Sequence, residues 1–308
     1  MEQSSIQSDF VLANGLRLHY LEQAPIDESL TEAPIIVFLH GFPEHAGVWR
    51  SQLAFFSKTH RAIALDLPGY NLSQAPDSLA EFSVPNLVSI IAEFIRVVAD
   101  NHPIILVAHD WGGAIAWPLA ARHPQLITKL VILNAAHPST FTREMINNPQ
   151  QRILSDYIHD FLNPNFENEL SQDDFAKLKQ HSIAHIRGGI SAVEERAFVE
   201  AWSKPNAVTH MLNYYRAMPQ LFPRSSELGN QSGPIKSFDD FKIPHIRIDV
   251  PTLVLWGEDD QAFDIGVLAG LDRYIPDYTE QRFGETSHWI HHERSDEINV
   301  AIAAFINR

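Results

Sequence analysis

Four short apolar runs, at 35–39, 62–65, 104–108 and 130–133, constrain this chain more than any other feature. Each ends in a turn or loop, and helical stretches separate them. Runs of branched aliphatic residues without polar alternation belong to strands buried on both faces, as in a parallel sheet covered by helices. Residues 10–21 alternate instead around Asn14-Gly15, a dipeptide that accepts the positive φ angles of a two-residue hairpin turn, so two antiparallel strands are expected first. The strand rhythm stops near Pro138. From there to His245 the sequence reads as helices, with Ser171-Gln172-Asp173-Asp174 and Ser191-Ala192-Val193-Glu194 as capping boxes and Pro205 in a first helical turn. Strand character returns at 252–256 and 279–283, and an amphipathic helix from Ser295 to Ile306 follows. The expected organisation is an α/β core in two parts, 1–137 and 246–308, interrupted by a helical insertion at 138–245.

Composition narrows the function classes. A chain of 308 residues can bury a sizeable core, as one large α/β unit or two smaller ones. The net charge of −15, with no run of Lys or Arg, argues against a polyanionic partner, because nucleic-acid affinity comes largely from cations that neutralise phosphates. Without cysteine there is neither a disulfide framework nor a thiolate metal site. Residues 1–9 are polar and lack the basic and apolar regions of a signal peptide, and no apolar run approaches the roughly 18 residues of a membrane span. A cytoplasmic protein is expected, with a homodimer as a possible assembly.

The run 104–108 leads directly into His109-Asp110-Trp111-Gly112-Gly113 and an alanine-rich helical stretch, so Asp110 stands where a strand ends and a helix begins. That is the setting of a nucleophile elbow, with Asp in place of the usual Ser. Ala108 and Gly112 are small enough to permit the sharp turn, and the N–H groups of the helix start favour an ionised carboxylate. The plain alternative is an ordinary helix cap. His40-Gly41-Phe42-Pro43 follows an earlier strand, at the end of the sheet where open α/β proteins bind ligands. The backbone N–H groups of Phe42 and Trp111 are candidates for an oxyanion hole, unless Gly and Pro there serve only a tight turn, cis or trans. Late in the chain, Ser287-His288-Trp289 offers His288 as a general base. His291 and His292 beside it find no third metal ligand at a usual spacing, so no metal is expected. Glu258, Asp259 and Asp260 follow a strand; one of them is placed to orient His288, and Glu258 and Asp259 also read as solvated loop acids.

With nucleophile, acid and base in that order, the chain resembles the epoxide hydrolases of the α/β-hydrolase superfamily over nearly its full length. The likeness rests on His-Gly-Phe-Pro at 40–43, His-Asp-Trp-Gly-Gly at 109–113, Trp-Gly-x-x-Asp at 256–260 and His-Trp at 288–289, specific as a set. It implies an α/β-hydrolase core with a mostly parallel sheet and an inserted helical cap, and it selects Asp260 as the acid. It also places a cap tyrosine on the epoxide oxygen. Leu212-Asn213-Tyr214-Tyr215-Arg216 looks like that segment, which puts the role on Tyr215, although Val208, Leu212 and Tyr215 also share one helical face and could simply pack. Tyr157 is the second donor, with His159 as its rival. The implied reaction opens a small apolar epoxide through an ester on Asp110, which His288 then hydrolyses with water, and it requires no cofactor.

Haloalkane dehalogenase shares this nucleophile and is the alternative. Phe42 gives no side-chain donor where one dehalogenase group has Asn, and Ala114 is not the Arg of fluoroacetate-dehalogenase relatives. A non-catalytic ligand-binding protein of the hydrolase fold is a second alternative. Four residues depart from the family pattern: Asn134 stands where some relatives carry their acid, Ser287 and Asn71 replace glycines, and Pro118 is expected to kink the nucleophile helix. Phe161, Trp202 and Phe222 read as packing residues of the cap.

Overall fold

Asn14 and Gly15 both take positive φ, 47° and 81°, and turn strand β1 (Gln7–Ala13) back onto β2 (Leu16–Gln23). The computed structural model describes residues 5–25, 34–218, 222–225 and 242–308. Six further strands complete one sheet: β3 (Ile35–Leu39), β4 (Arg61–Leu65), β5 (Ile104–His109), β6 (Ile127–Leu133), β7 (Thr252–Gly257) and β8 (Tyr278–Phe283). Their order is β1-β2-β4-β3-β5-β6-β7-β8, antiparallel from β1 to β4 and parallel from there on. The chain moves outward from β3 in both directions, so the carboxyl ends of β3 and β5 lie side by side where the order reverses, the usual ligand crevice of an open α/β sheet.

Between β3 and β4 lies α1 (Arg50–Phe56), between β4 and β5 α2 (Val84–Val98), and between β5 and β6 α3 (Trp111–Arg122). Among the described residues, seven α-helices lie between β6 and β7: α4 (Pro138–Asn147), α5 (Pro149–Leu154), α6 (Tyr157–Phe161), α7 (Pro164–Ser171), α8 (Ala176–His181), α9 (Ala192–Trp202) and α10 (Ala207–Arg216). Helices α11 (Ile290–Glu293) and α12 (Ser295–Ile306) follow β8. Strand residues alternate between two cores. Val37, Leu39, Leu106 and Ala108 pack with α2 and α3, whereas Ile36, Phe38, Ile105 and Val107 pack with α1 and α12. Each fully buried Leu, Ile or Phe contributes about 1.5–3 kcal/mol relative to exposure, so the unbroken apolar strands expected from the sequence are what a sheet covered on both faces requires.

Within 138–245, the described α-helices run as far as Arg216, and residues 242–245 carry none. Ser191 forms its capping box: its hydroxyl accepts from the Glu194 N–H (3.2 Å), and Glu194 accepts from the Ser191 N–H (2.7 Å). Ser171 does not start a helix; it ends α7. Asp173, Asp174 and Phe175 then take φ of 49°, 54° and 59°, a left-handed run that interrupts helical geometry until α8. Pro205 stands ahead of α10, whose start is set by Asn206 at φ 57°. Pro118 lies inside α3, which runs through it, leaving the Ala114 carbonyl without a helical donor. Residues 219–221 and 226–241 of this stretch lie outside the described residues. Among the described residues, no helix is long and apolar enough to cross a membrane.

Candidate active site

Strand β5 ends at His109 and α3 begins at Trp111, so the whole reversal falls on Asp110, whose φ of 48° and ψ of −117° lie outside the ordinary regions for a side-chain-bearing residue. Such a conformation costs about 1–3 kcal/mol and persists only where its surroundings enforce it. Two glycines do so by their absence of bulk. A Cβ on Gly112 would meet the Leu39 carbonyl oxygen at 2.6 Å, and one on Gly41 would meet the Asp110 Cβ at 2.3 Å. That close approach lets the Phe42 N–H donate to Asp110 Oδ1 at 2.7 Å. The Phe42–Pro43 peptide bond is cis. The Trp111 N–H, also expected as a donor, lies at the first position of α3 and is not bonded to the carboxylate. Asp110 makes no side-chain bond to the first turn of α3, so it is not a helix cap.

The carboxylate instead faces His288, with Nε2 at 3.6 Å from Asp110 Oδ2, while His288 Nδ1 lies 2.9 Å from Asp260 Oδ2. Burial separates Asp260 from its neighbours: it is enclosed, whereas Glu258 and Asp259 are exposed. Every lone-pair direction of Asp260 is used. Oδ1 accepts from the Ala262 and Phe263 N–H groups at 2.7 and 3.0 Å, and Oδ2 accepts from Asn134 Nδ2 at 2.7 Å as well as from His288. Asn134 therefore holds the acid from the end of β6, and its own oxygen accepts from the Gly257 N–H at 2.8 Å. Burial disfavours a charged His288, but the facing carboxylates of Asp260 and Asp110 outweigh it and raise the pKa to about 10. Burial likewise works against the Asp110 anion, and His288, His109 and the Phe42 N–H together hold its pKa below the usual value.

A cavity of about 330 Å³ opens over this pair, with Asp110, His288, Phe42, Tyr157, Phe161 and Tyr215 in its wall. Tyr215, from α10, packs edge-on against Trp111 (89°, 5.1 Å) and Phe42 (88°, 5.4 Å), the two residues that flank the Asp110 carboxylate. Tyr157, from α6, has its ring centre 6.1 Å from that of Tyr215. Burial pushes both phenols up, with Asp110 adding to the effect in each. His159, the rival to Tyr157, lines a separate shallow pocket with Phe141 and Met145. Phe161 is buried as a packing residue would be, yet it forms part of the cavity wall. Trp202 and Tyr214 are tied to the core instead, donating to the Pro43 and Pro68 carbonyls at 2.7 and 2.8 Å.

Two departures from the family pattern acquire roles. Asn71 adopts φ 46° and donates to Asp66 at 2.8 Å, so it fills a left-handed position with a side chain that pays for itself. Ser287 gives both its N–H (2.9 Å) and its hydroxyl to Glu293, fixing the loop that presents His288.

Sequence spacing did not reveal the partners of His291 and His292. Both donate to Glu44 Oε1, at 2.9 and 3.0 Å, and Oε2 pairs with His109 Nδ1 at 3.1 Å and Gly41 N–H at 3.3 Å. His109 Nε2 in turn donates to the His288 carbonyl at 3.0 Å, so this network backs the loop that carries His288. Burial opposes the Glu44 charge, but His291, His109 and His292 outweigh it and hold its pKa well below the ordinary value. Ligand atoms of Glu44, His109 and His291 lie within 4.8 Å of one another, a set of donors that the His291-His292 pair alone did not suggest. As they stand, the carboxylate's lone pairs are taken up by hydrogen bonds. The Glu44 contribution was foreshadowed only by its position directly after His-Gly-Phe-Pro.

Known proteins share this arrangement of chain and sheet. The alpha/beta hydrolase fold model matches residues 34–295. Epoxide hydrolase 3 of Xenopus tropicalis is 33% identical over 301 residues, covering 95% of this chain and 75% of that protein. The AB hydrolase superfamily protein YfhM of Bacillus subtilis (strain 168) is 30% identical over 304 residues, covering 98% of each. A crystal structure of a mutant epoxide hydrolase from Bacillus megaterium is similar at a TM-score of 0.84 and 30% identity, over 97% of this chain and 100% of that one. The chain therefore belongs to the alpha/beta hydrolase fold family, on its epoxide hydrolase branch.

Proposed function

We propose that the protein converts an epoxide and water to a vicinal diol through a hydroxyalkyl ester on Asp110, with residues 138–245 serving as the cap of a core formed by 1–137 and 246–308. The observation that carries this reading is one cavity with an ionised carboxylate on the core side and two phenols from the helical segment. Asp110 Oδ1 is held by the Phe42 N–H, which leaves Oδ2 to attack. As the new C–O bond forms, the epoxide C–O bond breaks, and its oxygen takes a proton from Tyr215 with Tyr157 as the second donor. Burial raises both phenols, so the proton moves as negative charge develops on the epoxide oxygen and not before it.

Charge then switches the base on. In the free protein His288 lies between two carboxylates and is cationic at neutral pH. Esterification removes the Asp110 charge, the raised pKa relaxes, and the His288 proton replaces the one lost by tyrosine. Neutral His288, oriented by Asp260, takes a proton from water, and the hydroxide attacks the ester carbonyl carbon. The developing oxyanion is Oδ1, already at the Phe42 N–H, with the Trp111 N–H as its second donor. Collapse of the adduct breaks the acyl C–Oδ2 bond, the departing oxygen takes the proton of the added hydroxyl, and release of the diol leaves Asp110 as its carboxylate and His288 as its cation.

A halide leaving group needs no proton, so paired phenols favour the epoxide over the haloalkane. Intact-mass analysis of His288→Ala after incubation with epoxides and haloalkanes tests the choice. A gain equal to the whole epoxide is expected. Addition of an alkyl group with loss of halide would favour a dehalogenase, and absence of any adduct across a broad panel would leave a binding protein as the better reading.

A further inference from the structure

The solvent-facing end of the cavity is edged by the segment between α8 and α9. His181 and His185 are exposed and line the cavity, while Ile183 and Ile186 sink their side chains below the surface. Past Arg187, Gly188 and Gly189 take φ of 82° and 71° with open space where a side chain would be, so the strap has room to swing at that end. Arg187 lies between the edge and this hinge, and it grips the core at two points. Its Nη2 donates to Asp259 Oδ2 at 2.6 Å, and its backbone N–H donates to Glu293 Oε1 at 2.8 Å.

Both acceptors adjoin the segments that carry the proposed acid and base, Asp259 in the loop after β7 and Glu293 at the end of α11. Asp259 adjoins Asp260, and Glu293 is the group that receives the N–H and hydroxyl of Ser287, the residue before His288. One residue of the helical segment thus holds the loops carrying the acid and the base, at the edge of the cavity they serve. The side chains of Arg187 and Asp259 are each about half exposed, 47% and 48%. Exposed pairs of this kind are weak, shifting an equilibrium by about two- to five-fold, and are screened by salt. A contact of that strength opens readily, so the strap parts often enough to admit a bulky substrate.

We infer that Arg187 is a positioning residue that latches the 181–189 strap shut over the catalytic cavity, and that it selects among epoxides by the size of the group that has to pass His181 and His185. The size selection rests on the epoxide reading; the latch does not. A small terminal epoxide enters with the strap closed, and a bulky one waits for it to open.

The test compares wild type, Arg187→Ala, Asp259→Asn and the double variant. Amide hydrogen exchange over 181–189, measured without substrate, is expected to rise about two- to five-fold in each single variant and no further in the double. High salt should produce the same rise in wild type alone. With phenyl glycidyl ether, kcat/KM is expected to increase by that factor in the variants, and with epoxybutane to stay level. Arg187→Lys, which keeps the charge, should restore most of the wild-type behaviour. Unchanged exchange in the single variants, or additive effects in the double, would overturn the latch. A response in exchange with equal shifts for both substrates would overturn the size gate. If exchange responds while no protein turns over any epoxide, the latch stands and the proposed activity fails.

Discussion

Replacing Glu44 with Gln tests whether the network behind His288 is held together by charge. The carboxylate receives four donors, from His109, His291, His292 and the Gly41 N–H, and the side chain has no exposed surface. A Gln amide is nearly the same shape but offers one accepting oxygen, and its NH₂ group meets donors where the second carboxylate oxygen stood. Removing one partner of a buried charge network costs about 3–5 kcal/mol, and each donor left unpaired accounts for about 1–3 kcal/mol of that. With a urea m-value of about 3 kcal/mol/M, Glu44→Gln should lower the unfolding midpoint by roughly 1–1.7 M at pH 7. The pH dependence gives the sharper test. The folded-state pKa of Glu44 lies below its ordinary 4.5, so its contribution is complete above about pH 4.5 and is lost as pH falls through the folded value. Wild type should therefore lose its advantage over the variant on acidification, and the two urea midpoints should converge. A midpoint shift below 0.3 M at pH 7 (about 1 kcal/mol), or a gap that stays constant into acid, would refute the charge argument.

Four other substitutions probe the steps of the proposed reaction and the turn that carries Asp110. Tyr215→Phe and Tyr157→Phe remove the proposed proton donors and should each slow ester formation, together by about 10²–10⁴-fold, when followed by rapid-quench mass analysis; ester breakdown should change little. Asn134→Ala removes the 2.7 Å bond to Asp260 and should slow ester hydrolysis by about tenfold, so that the ester accumulates in a pre-steady-state burst. Gly112→Ala drives a Cβ to 2.6 Å from the Leu39 carbonyl, and because backbone on both sides has to move, it should abolish adduct formation and lower the melting temperature. A Gly112→Ala protein with wild-type burst amplitude would show that the elbow does not depend on this approach.

The features legible in the sequence were those with a local cause. A parallel strand buried on both faces must be apolar throughout, and Asn14-Gly15 must turn where it does, so the sheet could be read residue by residue. The Asp110 turn was legible for the same reason, since Ala108 and Gly112 mark a backbone that has to pass close to another chain segment. Local reading left a helix cap open at Asp110 and three acids open at 258–260, and burial together with the His288 contact resolves both in the structure. The errors at Ser171 and Pro205 also have a local cause. Ser with an acid three residues on, or Pro before a helix, signals a boundary, but the left-handed residues 173–175 and Asn206 shift where the helix begins.

What the sequence hid is set by distance along the chain. Glu44 lies 247 residues from His291 and Arg187 lies 72 from Asp259, and no periodicity links positions that far apart. Tyr157 and His159 show the limit within a single helix: two residues apart, they line different pockets, and only the packing of the Tyr157 ring against Tyr215 and Phe161 determines which one shares the cavity of Asp110. A nucleophile can be marked by its own backbone because the strain is local. The proposed proton donors and the charges behind the proposed base have to be brought to it by the fold, so spacing alone leaves them as residue types, and only the family resemblance singles out Tyr215 and Tyr157. The proposed reaction depends on groups that the fold brings together: Asn134 on the acid, Glu44 behind His109, and the phenols that share the cavity with Asp110. These decide whether an ordinary aspartate at a strand end becomes a nucleophile with a leaving atom to protonate and an ester to cleave.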